Sequence, residues 1–175
     1  NSVSSGGGVA YNHSGSSKIY SRDCTFINNS AGSSGGVAYG IDTITASNCV
    51  FAGNYTLGSG GIGIYVGNFK GYYCTFESNG ANGVGGIAAS GSTAGTWEMT
   101  GCVFKNNRCD STDINKGGGV SYYGTWIASS CAFIGNHASS AYGGVACTGE
   151  WTAANCTFYN NYSYNGTWPG NVAYY

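Results

Sequence analysis

The sequence predicts an all-β fold, a right-handed parallel β-helix of about six coils, with about 25 residues and three short strands in each coil. Three observations lead to this prediction. A motif C-x-F-x-x-N occurs six times, at spacings of 25, 25, 28, 29 and 25 residues. A glycine pair followed by Val or Ile recurs between the copies, and a large apolar residue lies five positions before each cysteine. Gly, Ser, Thr and Asn dominate the segments between, which disfavours helices.

The C-x-F-x-x-N motif defines three columns of equivalent residues. Residues two apart on a strand share a face, so we expect the cysteine and the phenylalanine of each copy to point inward together. Successive coils lie about 4.8 Å apart, so equivalent side chains stack into ladders, with the asparagines at a corner. Their invariance from copy to copy favours a structural role over ligand binding. The ladder residues are Cys24, Cys49, Cys74, Cys102, Cys131 and Cys156; Phe26, Phe51, Phe76, Phe104, Phe133 and Phe158; and Asn29, Asn54, Asn79, Asn107, Asn136 and Asn161.

Two further registers define the remaining strands. The residues five before the cysteines are all large, which predicts a second internal stack: Ile19, Ile44, Phe69, Trp97, Trp126 and Trp151. The glycine pairs, such as Gly35-Gly36 before Val37, would supply the permissive backbone of a tight corner, after which a strand resumes. A β-sandwich is the alternative for many short strands. It predicts hairpin turns and no period fixed to the residue, so the solenoid is favoured.

Composition favours an extracellular or cell-surface location. Charged residues make up 7% of the chain and the net charge is −1, which argues against a nucleic-acid partner. No apolar run approaches the roughly 20 residues of a membrane span, so we expect no direct membrane insertion. The eight cysteines and six N-x-S/T sequons suit a secreted protein that carries surface glycans. Asn12, Asn155 and Asn165 are the candidate glycosylation sites, whereas Asn54 and Asn161 belong to the ladder and cannot carry sugar if they face inward.

The cysteines allow two arrangements. Ladder neighbours would have Cα atoms about 4.8 Å apart, which is within the range of a disulfide. Cysteine is also a small buried hydrophobe, and a mostly unbridged inward stack is favoured. Cys109 and Cys147 lie off the ladder in adjacent coils, so they are natural partners for each other if either forms a disulfide.

The largest insertion, residues 107–117 (NRCDSTDINKG), carries four of the thirteen charged residues. Insertions in repeat proteins map to loops and often to a binding edge. Asp110, Asp113 and Asn115 could be interpreted as a calcium loop, but their spacing fits no EF-hand. A solvated loop is favoured, and we expect no metal and no cofactor.

Alternation of F-x-x-N with G-G-[AVI] over the whole chain, from Gly7 to Val172, resembles the repeats of chlamydial polymorphic outer-membrane proteins. Similar repeats occur in other large surface proteins built on right-handed parallel β-helices. The resemblance implies a secreted or surface-displayed, non-enzymatic role in adhesion or surface structure. This chain departs from that pattern in its Val or Ile after the glycines and in its strict cysteine.

These features predict a single β-helix domain over residues 1–175, which could be a segment of a longer solenoid. No two acidic residues lie at equivalent positions of adjacent coils, and His13 and His137 fall in different turns, so an enzyme is disfavoured. The expected role is a structural building block that associates end to end, because unprotected strand edges pair with matching edges. The alternatives are an adhesin that binds through residues 107–117 and, less favoured, a polysaccharide-cleaving enzyme.

Overall fold

The computed structural model describes residues 1–12, 16–89, 95–113, 117–139, 143–164 and 172–174. Regular structure in these ranges consists of 26 short strands, with no helix among them. In chain order the strands are β1 (Ser2–Val3), β2 (Ala10–Tyr11), β3 (Lys18–Arg22), β4 (Thr25–Ile27), β5 (Ser30–Ala31), β6 (Ala38–Tyr39), β7 (Thr43–Ser47), β8 (Val50–Ala52), β9 (Tyr55–Thr56), β10 (Gly63–Ile64), β11 (Asn68–Tyr72), β12 (Thr75–Glu77), β13 (Gly80–Ala81), β14 (Ala88–Ala89), β15 (Thr96–Thr100), β16 (Val103–Lys105), β17 (Arg108–Cys109), β18 (Ser121–Tyr122), β19 (Thr125–Ser129), β20 (Ala132–Ile134), β21 (His137–Ala138), β22 (Ala146–Cys147), β23 (Glu150–Ala154), β24 (Thr157–Tyr159), β25 (Tyr162–Ser163) and β26 (Ala173–Tyr174).

Each strand pairs in parallel with the strands four places before and after it, so four sheets run along the solenoid. Sheet A starts with β1 and sheet B with β2, and each contains seven strands. Sheet C starts with β3 and sheet D with β4, and each contains six strands. The described strands therefore form six coils and half of a seventh.

The structure confirms the predicted all-β parallel solenoid of about six coils. The predicted three strands per coil is wrong, because each coil has four. Sheets B, C and D are the three predicted strands: the one after the glycine pair, the one with the bulky residue and the one with C-x-F. The missed strand, in sheet A, has only two residues after the ladder asparagine, too few to show a periodicity. The right-handed winding of the chain along the solenoid stays a prediction.

The core lies inside the four sheets and is filled by columns of equivalent side chains. In the inner coils the phenylalanines of sheet D, as at Phe76 and Phe104, are fully buried, and so are the Val or Ile residues after the glycine pairs, as at Ile62. Sheet C contributes its second and fourth residues, for example Trp126 and Ala128. Large and small positions alternate along each coil, so neighbouring columns interdigitate.

Each of the four corners contains a residue in the left-handed region. The corner between sheets C and D has it just before the cysteine, as at Asp23 with φ 53° and Asn48 with φ 52°. The corner between sheets D and A has it just before the ladder asparagine, as at Asn28 with φ 52° and Gly53 with φ 61°. At these two corners Asn, Asp and Gly, the residues that tolerate this conformation best, fill most of the positions, and Ser or Tyr fills the rest.

The glycine pair turns the chain from sheet A to sheet B, and its two members serve different purposes. The first has a positive φ, as at Gly60 with φ 65°. The second is needed for close approach, because a Cβ on Gly61 would collide with the main-chain oxygens of Gly86 and Gly80 in the next coil. The pair is therefore required by the conformation of one residue and by the packing of the other.

Replacing Gly61 by alanine should destabilise the fold by about 3 kcal/mol, because the colliding atoms are backbone and the coils must separate to make room. The matched control is Gly63→Ala, in the same coil, where the paired residues on both sides are Ala38 and Ala88. There the new Cβ would lie 2.9 Å from one methyl group of Val66 and would meet no main-chain atom, so a smaller loss than at Gly61 is expected. Denaturant unfolding measures both. Equal stabilities of the two variants would contradict the close-approach explanation.

Candidate functional site

The asparagine ladder is a continuous hydrogen-bonded chain from Asn29 to Asn161. Within it, the Asn54 main-chain N–H and Nδ2 donate to Asn79 Oδ1 at 3.0 and 2.9 Å. The Nδ2 of Asn54 also donates to the Phe26 carbonyl of the preceding coil at 2.8 Å. The same bonds recur in the following coils, and all six asparagines are buried. Each amide therefore satisfies polar groups of three consecutive coils.

Asn1 occupies the same register, which the sequence prediction missed. Its carbonyl accepts a hydrogen bond from the Ser30 N–H at 2.8 Å, as the Asn29 carbonyl does from the Tyr55 N–H at 2.9 Å. A signal was present, since Asn-Ser stands six residues before a Gly-Gly-Val-Ala-Tyr segment at both Asn1 and Asn29.

The aromatic ladders form two parallel stacks inside the solenoid. Phe76 and Phe104 stack with ring centres 4.8 Å apart and an angle of 2° between planes. Trp97 and Trp126 stack at 5.1 Å and 14°. The two stacks meet edge to face, as where Phe104 contacts Trp126 with ring centres 5.8 Å apart. These predicted ladder residues therefore form the core rather than a ligand site.

Replacing Asn79 by alanine should destabilise the protein by about 3 kcal/mol or more, because the Asn54 amide and the Phe51 carbonyl lose their buried partners. Asn68→Ala is the control, since that asparagine is exposed on sheet C and should change stability by about 0.5 kcal/mol or less. Urea unfolding measures both variants. A loss at Asn79 no larger than at Asn68 would show that the ladder contributes little.

The ladder cysteines form a column of thiols between sheets C and D. Each thiol donates to the carbonyl two residues earlier, at 3.1 to 3.4 Å. The Cys74 main-chain N–H also donates to Cys102 Sγ at 3.4 Å. Hydrogen bonds with the Cys102 thiol lower the pKa of Cys74 to about 7 and that of Cys131 to about 6. The same bonds raise the pKa of Cys102.

All eight cysteines lie in the described part of the chain, and each is a thiol. The candidate disulfide between Cys109 and Cys147 is therefore not formed in this structure. The two residues lie in different sheets, Cys109 in β17 and Cys147 in β22. Cys109 donates to the Gly83 carbonyl at 3.3 Å, and burial raises the pKa of Cys147 to about 11.

Thiol titration tests this arrangement. In the folded protein only Cys24 and Cys156 are half-exposed, so a thiol reagent should modify these two first. After unfolding in urea without reductant, all eight should react. The variant Cys24→Ser should remove one of the two fast-reacting groups. Fewer than eight reactive thiols after unfolding would show that disulfides are present.

The candidate glycosylation sites differ in their environments. Asn54 and Asn161 are buried and so face inward, which is the condition under which the sequence predicts that they carry no sugar. Asn155 is exposed at a corner, with φ 54°. Asn12 is half-buried and its Nδ2 donates to Ser17 Oγ at 3.0 Å. Asn165 lies outside the described residues.

Two ion pairs on the outer surface join neighbouring strands. Lys70 binds Glu98 at 3.1 Å on sheet C, and Lys105 binds Glu77 at 2.9 Å on sheet D. Among the described residues no group of three or more His, Cys, Asp or Glu side chains is arranged to hold a metal ion. Of the residues in the calcium interpretation, Asp110 pairs with Arg108, and Asn115 lies outside the described ranges. His13, considered above for an enzyme, also lies outside these ranges.

One cluster of polar and aromatic side chains stands on the outer face of sheet A. We call it the Arg108 patch, and it consists of Tyr55, Arg108, Asp110, His137, Tyr162 and Tyr164. Arg108 Nε binds Asp110 Oδ2 at 2.8 Å, and the Arg108 guanidinium carbon lies 5.5 Å from the centre of the Tyr55 ring. Tyr55 and Arg108 are two coils apart, and the residue between them is Gly80. A side chain there would contact both, so the glycine allows them to meet.

The other half of the Arg108 patch is aromatic. His137 stacks on Tyr162 with ring centres 5.0 Å apart, and Tyr164 packs edge-on against both rings. Burial lowers the pKa of His137, so the imidazole is neutral at pH 7. Burial, followed by the Asp110 carboxylate, raises the pKa of Tyr55.

The sequence predicted only part of this cluster. The insertion at 107–117 pointed to Arg108 and Asp110, but not to Tyr55, His137 or Tyr162. The missed residues follow a ladder asparagine directly, and that position varies between coils (Ser30, Tyr55, Gly80, Arg108, His137 and Tyr162). This variable outward column was the available signal.

Comparison with protein-family models, curated protein sequences and solved structures gives no match. No helix in the described ranges is long and apolar enough to cross a membrane.

Proposed function

We propose that this protein is a non-enzymatic structural building block of an extracellular surface layer or filament. The observation that carries the proposal is the uninterrupted run of ladders: the same asparagine, phenylalanine and cysteine columns pass through every described coil. Columns of this kind bind one coil to the next and make the solenoid a stiff rod. The sequon content and the resemblance to surface β-helix repeats support the location.

The terminal coils support extension of the rod by further coils. At one end Ile19 and Phe26 are only partly buried, and Val9 is 46% exposed beside an apolar cavity that these three residues help to line. At the other end Trp151 and Phe158 are partly buried members of the core. In the inner coils the equivalent positions are covered on both sides. Further coils, from the same polypeptide or from a second copy, would cover them here.

The strand count restricts how two copies could join. Sheets A and B have seven described strands, while sheets C and D have six. If β1 and β2 of a second copy paired with β25 and β26, sheets C and D would each lack one strand at the junction. A contact between separate copies of this chain would therefore use two of the four sheets, whereas a longer polypeptide could continue in all four.

We predict that the 175-residue chain associates in a concentration-dependent way, visible as an increase in sedimentation coefficient and as rods in electron micrographs. Ser163→Pro should reduce this association. The N–H groups of Tyr162 and Tyr164 both donate to the preceding coil, so by alternation the Ser163 N–H points away from it, toward the unpaired edge of β25 in sheet A. Proline removes that donor.

The matched control is Ile134→Lys, an outward position on the inner strand β20 that leaves both edges unchanged. It should associate like the original chain. A monomer at all concentrations would contradict association between copies, and equal association of Ser163→Pro would show that the sheet A edge is not used.

An adhesin is the second candidate function. One observation favours it: the segment 107–117 contributes Arg108 and Asp110 to an outward-facing cluster with aromatic residues from three other coils.

A further inference from the structure

The Arg108 guanidinium is held in a defined orientation. Asp110 fixes its Nε at 2.8 Å, and the Tyr55 ring supports its flat face at 5.5 Å. Burial, followed by the charge of the nearby Asp110 carboxylate, raises the pKa of Tyr55, so the carboxylate lies close to both groups. An arginine whose plane is fixed in advance loses less side-chain entropy when it binds a ligand.

Arg108 retains binding capacity toward solvent. Its contact with Asp110 uses Nε alone, and its side chain is 42% exposed. Within the described ranges, neither terminal amino group of Arg108 forms a hydrogen bond. These two terminal amino groups offer parallel N–H donors that match the two oxygens of a carboxylate. The nearest acid, Asp110, is already paired with the Nε of Arg108 and does not block this side.

The aromatic half of the Arg108 patch adds surface for a ring-shaped ligand. Along the sheet, the His137–Tyr162 stack follows directly after Arg108. Tyr164 is 71% exposed and stands edge-on to both rings, so its apolar body is open to a partner. The tyrosine hydroxyls and the neutral imidazole provide both donors and acceptors for hydroxyl groups.

We propose that the Arg108 patch binds a carboxylated sugar of an acidic polysaccharide. The carboxylate lies on the terminal amino groups of Arg108, and the sugar ring packs on Tyr164 beside His137 and Tyr162. This proposal deepens the adhesin alternative and does not depend on the structural role of the rod.

The chemistry favours an acidic saccharide over other anionic partners. A nucleic acid needs several cations to neutralise its phosphates, whereas the Arg108 patch offers one. An acidic peptide could use Arg108 but leaves the exposed Tyr164 and its neighbouring hydroxyls without a specific purpose. A sugar acid uses the cation, the apolar ring surface and the hydroxyl partners together.

Calorimetric titration of the full chain with tetragalacturonate, in EDTA and at low salt, tests the proposal. Maltotetraose is the neutral control and tetraglutamate is the peptide control. We expect binding of the sugar acid and at least about tenfold weaker binding of both controls. Arg108→Ala should weaken binding at least about tenfold, since it removes a charge-assisted bidentate contact. Arg108→Lys should weaken it at least about fivefold, since lysine keeps the charge without the paired donors.

Two further variants separate a shaped site from general charge attraction. Gly80→Ala changes no charge, but its Cβ would lie 3.1 Å from the Tyr55 ring and 3.2 Å from Arg108 Cγ. It should displace the guanidinium and weaken binding at least about fivefold. Lys105→Ala removes a cation from the comparable ion pair on sheet D and should change affinity by about twofold or less. Circular dichroism and unfolding curves check that each variant folds.

No binding of tetragalacturonate at millimolar concentration would overturn the proposal, as would equal binding of maltotetraose or tetraglutamate. Equal loss in Arg108→Ala and Lys105→Ala would reduce the effect to net charge and would also overturn it. Each of these results would leave the proposed structural role unaffected, because that role is tested by sedimentation and microscopy.

Discussion

The distance between parallel strands is the constraint on which the rest of this structure depends. Parallel pairing fixes neighbouring coils about 4.8 Å apart, and every column must accept that spacing. Flat rings do so, since the phenylalanines stack with ring centres 4.7 to 5.0 Å apart. Amides do so as well, since one carbonyl oxygen accepts both N–H groups offered by the coil before it. The second glycine of each pair also fits this spacing, because only a hydrogen atom has room between the main chains of two neighbouring coils.

This constraint explains how much of the fold could be predicted from the sequence. A column that must satisfy the same spacing in every coil shows the same residue in every copy, so the period revealed the sheets, the ladders and the number of coils. Sheet A was missed because its strands have only two residues each and their outward side chains vary from coil to coil. The corner at the ladder asparagine was predicted, but the left-handed residues at the two corners beside sheet D were missed, although Asn, Asp, Gly and Ser recur there. Their signal is a conformational preference shared by several residue types, and a search for identical residues does not detect it.

The candidate site follows the opposite rule. Residues that point outward are released from the packing constraint, so the position after the ladder asparagine differs from coil to coil. Periodicity therefore does not predict Tyr55, His137 or Tyr162. Only the unusual length of the insertion pointed to Arg108 and Asp110. The parallel register brings these residues side by side from coils that are 25 to 29 residues apart in the sequence. Pairing along the sheet, rather than proximity in the chain, assembles the Arg108 patch.

Gly80 connects the repeated interior columns with the variable outward column of sheet A. Among the outward residues of sheet A it is the only glycine, and a strand interior is an unfavourable place for one, at a cost of about 0.5 to 1 kcal/mol relative to alanine. Its inward neighbour Ala81 packs normally, and no positive φ accompanies Gly80, so neither the core nor the backbone conformation requires it. The glycine is required on the outer face of sheet A, where the absence of a side chain allows Arg108 to reach across a coil to the Tyr55 ring. The ladders hold both strands at a fixed separation, so the space over Gly80 has a constant width. The repetitive interior thereby supplies the rigidity that the non-repetitive surface needs in order to orient a single arginine.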